Sequence, residues 1–174
     1  MVSATQTTTI DVVNAILGVQ PGDKIAELRD QKPVLAEELQ TYYRAIFEPD
    51  ATSSTAFPLI DRLLAAVRVA SHTRSLAVAN WYAQLAVAAG ASSSEIERAR
   101  DIARAWVDSS KLGAAIRHAD LLTTNPSNAR QSDLQALKNA GFTPAGILSL
   151  SQVVAFVSYQ LRLIAGLRAF GDAI

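Results

Sequence analysis

Apolar positions along this chain recur at helical spacing, and polar or glycine-containing breaks divide them into segments of helix length. The strongest such stretch runs from Asp61 to Ile96, DRLLAAVRVASHTRSLAVANWYAQLAVAAGASSSEI, and the rest of the chain is organised around it. Leu63, Leu64, Val67 and Ala70 predict one helix, and Leu76, Ala79, Leu85 and Ala86 a second, with a break near His72 and Thr73. Gly90 ends the second helix, and Ser92-Ser93-Ser94-Glu95 restarts the chain with the serine and glutamate of a capping box.

Elsewhere the pattern predicts a short helix from Val12 to Leu17 closed by Gly18, helical turns within 24–32, and a helix from Val34 to Phe47. A loop follows from Glu48 to Ala56, and Pro58 opens the helix that contains Asp61. After Ser92 a helix is expected from Ser93 to Val107, with Ile96, Ala99, Ile102, Ala103 and Trp106 on one face. Further helices are expected from Lys111 to Leu122, from Asp133 to Ala140 capped by Ser132, and from Pro144 to Phe170 capped by Thr143. Residues 1–9 read as loose. No segment alternates for long enough to predict a strand. The expectation is one all-α domain over 1–174, with seven to nine helices. The junctions Ala89-Gly90-Ala91-Ser92 and Ala140-Gly141-Phe142-Thr143 echo one another, each leading to an isoleucine, Ile96 and Ile147. Helix–glycine–cap junctions look alike on physical grounds alone.

Composition narrows the function classes. Of the 174 residues 49% are hydrophobic, and 16 basic residues balance 16 acidic ones. This is a globular composition with no basic excess to recruit nucleic acid or an anionic membrane. With no cysteine, disulfides, thiolate metal sites and thiol catalysis within the chain are excluded. The N-terminus lacks the pattern of a secretory signal, and Gln152, Gln160, Arg162 and Arg168 make 145–170 a better buried helix than a membrane span. A cytoplasmic protein is expected. No GxGxxG, P-loop, HExxH or GxSxG motif occurs.

The stretches VRVASHTRSLAVANWYAQLAVAAGASSSEI and LLTTNPSNARQSDLQALKNAGFTPAGILSLSQVVAFVSYQLRLIAGL together resemble the AhpD-like superfamily of alkylhydroperoxidases and carboxymuconolactone decarboxylases. PGDKIAELRDQKPVLAEELQTYYRAIF is similar to the peroxidase-related branch with that decarboxylase (CMD) domain. The resemblance covers nearly the whole chain and implies an all-helical fold that assembles as dimers, trimers or hexamers. Its peroxidase members carry a Glu, a Cys-x-x-Cys, a His and a Gly at fixed spacing. Anchored on Gly90, those positions are Leu63, Ser75, Val78 and Tyr82 here, so every catalytic group of the motif is replaced. Peroxide reduction of that kind needs a low-pKa thiolate and a resolving thiol, and serine supplies neither.

Two function classes therefore stay open. The chain is either a non-catalytic companion subunit, assembling with itself or with a thiol-bearing paralogue, or a non-redox protein that uses the pocket around Ser75 and Tyr82. The second class comprises a decarboxylase-like acid–base enzyme and a binder of a small, mostly apolar ligand. Its acid–base groups would be Tyr82, His72 or Asp61. Arg68, in an apolar helix, calls for an acidic partner, either Asp61 or one elsewhere. His118 reads as a half-exposed helix residue. Trp81, Tyr82 and the stripe Phe156, Tyr159, Leu163, Phe170 read as core or subunit interface. No metal or cofactor is implied.

Overall fold

A computed structural model describes residues 11–48 and 56–171. The expected loose segment 1–9 and most of the expected loop at 48–56 lie outside the described residues. Among those described, the chain forms nine α-helices and no strand. They are α1 (Val12–Leu17), α2 (Lys24–Asp30), α3 (Pro33–Phe47), α4 (Leu59–His72), α5 (Leu76–Ala88), α6 (Ser93–Arg100), α7 (Lys111–Thr124), α8 (Gln131–Asn139) and α9 (Pro144–Gly171), with a 3-10 turn at Pro126–Asn128 between α7 and α8.

The central helix is α4, which packs against α5, α6, α7 and α9. Every residue from Arg62 to Ala70 is buried, so this helix has no solvent face over that span. A helix that is apolar nearly all round must be enclosed by others, and α4 satisfies that with leucine, valine and alanine on every side but for two arginines. Arg62 donates from Nε to the Phe57 carbonyl (2.6 Å) and from Nη1 to the Ile46 carbonyl (2.7 Å). It thereby ties together the two chain segments that flank residues 49–55.

The two glycine junctions adopt the same geometry. Gly90 (φ 97°) and Gly141 (φ 90°) are left-handed, and the amide after each reaches back across the last helical turn, Ala91 to the Ala86 carbonyl and Phe142 to the Leu137 carbonyl. Both are Schellman closures, and the left-handed residue is where glycine avoids a Cβ penalty. Ser92 and Glu95 complete the expected capping box. Thr143 caps α9, its hydroxyl accepting from the Gly146 amide at 3.2 Å.

Two expectations are corrected. The helix beginning at Ser93 ends at Arg100 rather than Val107. The Arg68 guanidinium takes the Asp101 carbonyl (2.6 Å) and the Arg104 carbonyl (3.2 Å), acceptors that a continuing helix would use internally. Trp106 still reaches the core, but from an irregular segment, with the Arg98 guanidinium 4.1 Å from its ring centroid and its Nε1 donating to Asp108. Secondly, α8 starts at Gln131 with Arg130 at its N-cap, not Ser132, because the Asp133 carboxylate accepts from the Arg130 amide at 2.7 Å. The aromatic stripe on α9, expected to be core or subunit interface, divides. Phe156 is buried among Tyr42, Tyr43 and Phe47, whereas Tyr159 and Phe170 are exposed.

Helix α9 is long and apolar enough to cross a membrane by length and composition. It also contributes Leu150, Val153, Val157, Leu161 and Ile164 to the core against α4 and α7.

Candidate functional site

Tyr82, Val78 and Leu63 are enclosed in the core, with Tyr82 and Val78 at 0% exposure. Their helices place them where the i, i+4 spacing on α5 and the inward face of α4 require. The Tyr82 ring lies 4.9 Å from that of Phe47, and its hydroxyl donates to Gln160 Oε1 on α9 at 2.8 Å. Burial pushes the phenol well above its ordinary value of 10.0, so it stays protonated near neutrality. The Gln160 Nε2 has no hydrogen-bond partner. None of the clefts described below reaches these three residues.

Ser75 does not share their fate. It lies in the turn between α4 and α5, where Arg74 is left-handed (φ 57°) and the Ser75 amide returns to the Ala70 carbonyl. Ser75 occupies the N-cap position of α5 yet makes no side-chain cap. It opens instead onto a cleft of about 470 Å³ between this turn, the end of α7 and the second half of α9. Of Leu63, Ser75, Val78 and Tyr82, only Ser75 lines that cleft.

His72 and Arg68 converge on a residue that sequence reasoning missed. Asp120 of α7 accepts from Arg68 Nε (2.7 Å) and Nη2 (2.9 Å), and its Oδ1 lies 2.7 Å from His72 Nε2. An ionised carboxylate only accepts, so the contact is a donation from His72 Nε2 to Asp120. The arrangement holds an oriented imidazole beside a charge-compensated carboxylate. The expected alternative partner for Arg68, Asp61, is therefore not used. One signal pointed to Asp120: it is the sole carboxylate on the Lys111–Thr124 segment, and a buried arginine on a neighbouring helix needs one.

Asp61 stands apart, half-buried at the start of α4, and burial raises its carboxyl above the ordinary 3.8. A raised acid binds its proton more tightly in the folded chain. It therefore favours folding below the ordinary carboxylate range, and that contribution is lost as pH rises through the raised value. Asp61→Asn is accordingly expected to be at least as stable as the parent at pH 7 and to flatten the fall in stability with rising pH above about 3.8. Urea titrations of both proteins across pH 4–7 would show it, and a variant less stable at every pH would refute it.

His118 corrects another expectation. It is 6% exposed rather than half-exposed, its Nδ1 is buried without a partner, and burial lowers its pKa. It belongs to α7 and lines a cleft that also includes Arg117 and, from α8, Asp133.

No family model, curated protein or solved structure matches this chain.

Proposed function

We propose that this chain is an AhpD-like helical subunit without thiol chemistry, working in the cytoplasm as a structural companion in an oligomer of itself or with a thiol-bearing paralogue. One observation carries the reading. The positions that resemble the reactive glutamate, second cysteine and histidine are occupied by Leu63, Val78 and Tyr82, packed into a core with the one polar group satisfied by Gln160. Catalytic pockets are where ionisable groups with perturbed pKa values cluster. Here the space is filled.

Exposed apolar residues support the assembly part of the proposal. Leu35 on α3 is 62% exposed and Tyr159 on α9 is 52% exposed, and both border a cleft of about 260 Å³ that also involves Leu28 and Leu163. With no net charge to oppose association, such a surface suits a second subunit. The involvement of α9 in packing against α4 and α7 supports a water-soluble location.

Light scattering on the purified chain at micromolar concentration is expected to give a multiple of its 18.6 kDa mass. The same chain, supplied with an organic hydroperoxide and a dithiol reductant, is expected to show no turnover. Mixing with a cysteine-bearing AhpD-like protein from the same source would distinguish self-assembly from hetero-assembly. A monomer that forms neither kind of complex would refute the proposal.

A further inference from the structure

We propose that the cleft lined by Ser75, Ser158, Arg162 and Arg168 is a binding site for a small amphipathic organic anion, with an alkyl carboxylate as its simplest form. The cleft, at about 470 Å³, has the size of a small-molecule site. Its floor is apolar, formed by Leu161 and Ile164 of α9, both buried core residues.

The polar groups around that floor are donors. Thr73 and Thr123 also line the cleft, but their hydroxyls already donate to the Ala70 and Ala119 carbonyls. The Ser75 and Ser158 hydroxyls have no partner among the described residues. Arg162 spends one N–H on the Ser158 carbonyl, and Arg168 has no partner among the described residues. No acidic residue is among those described as lining the cleft. Asp120, one turn before Thr123 on α7, already accepts from Arg68 and His72.

Two guanidinium groups with no carboxylate among the described lining residues, on a chain of zero net charge, form a local excess that selects for an anion. The uncapped start of α5 adds to this. A serine at an N-cap ordinarily accepts from an amide of the first turn, whereas Ser75 leaves those amides without a side-chain partner. An anionic head meeting Arg168, Arg162 and the two serines, with a short tail over Leu161 and Ile164, uses every part of the cleft. This site is separate from the buried Tyr82 region, and it stands whether or not the chain assembles.

The test is isothermal titration of the full chain with sodium octanoate, and with octylammonium chloride as the matched cation. Octanoate is expected to bind with a stoichiometry of one per chain, and octylammonium not to compete. Arg162→Gln combined with Arg168→Gln is expected to weaken octanoate binding at least about tenfold. Ala165→Trp, on the exposed lining of the cleft, is expected to block the tail and abolish binding. Circular dichroism would establish that these surface variants remain folded. Absence of octanoate binding to the parent, equal affinity in the double-glutamine variant, or equal binding of octylammonium would each overturn the proposal. None of these results changes the oligomer mass, so its failure is distinguishable from failure of the companion reading.

Discussion

Arg68→Met is expected to destabilise the fold by about 3–5 kcal/mol, the cost of breaking a buried ion pair from one side. The side chain is 2% exposed, and its N–H groups serve both oxygens of Asp120 and the carbonyls of Asp101 and Arg104. Methionine matches much of the volume, so the loss isolates the polar part. What remains is a carboxylate held by His72 alone, and two carbonyls of an irregular segment without their donor. For a domain of this length, that loss corresponds to a fall in melting temperature of roughly 10 °C. Hydrogen exchange is expected to rise most in residues 101–106, where the guanidinium replaces helix hydrogen bonds. A variant within about 1 kcal/mol of the parent in urea unfolding would show that the segment is held by Trp106 and its neighbours instead.

Tyr82→Phe is expected to cost about 1–3 kcal/mol, because the change removes one hydroxyl and strands buried Gln160. Gln160 is itself 0% exposed, and its Nε2 already lacks a partner, so the variant leaves the whole amide unsatisfied. Pairing the change with Gln160→Leu is expected to recover most of the loss, since removing both polar partners leaves nothing unpaired. The double-mutant cycle also tests the functional reading. If Tyr82 were a site residue, the restored double variant would keep its stability and lose binding or activity. The companion reading expects equal stability and unchanged assembly. Equilibrium urea unfolding of all four proteins, with light scattering alongside, separates these outcomes.

The chain's own periodicity determined the all-α class and most helix boundaries. Gly90 and Gly141 are legible because a left-handed residue after an apolar helical stripe is a local requirement, met by one residue type at little cost. The Ser92–Glu95 box and the Thr143 cap are legible for the same reason: donor, acceptor and spacing all lie within four residues. The absence of cysteine settled, before any fold was known, that thiol chemistry does not belong to this chain.

Tertiary structure decided everything that depends on residues far apart in sequence. Arg68, His72 and Asp120 meet across 48 and 52 positions, and neither helix pattern specifies which carboxylate faces which guanidinium. The same arginine ended α6 early. Ile96, Ala99, Ile102 and Ala103 share a helical face in the pattern, but a buried arginine competing for the Asp101 and Arg104 carbonyls overrides local propensity. The fate of the motif positions was likewise a matter of packing. Ser75, Val78 and Tyr82 share a helical spacing, yet the left-handed turn at Arg74 leaves Ser75 beside a cleft while Phe47 and Gln160 close over Tyr82. Spacing fixes which side chains share a face, and the neighbouring helices decide whether that face is a pocket or a core.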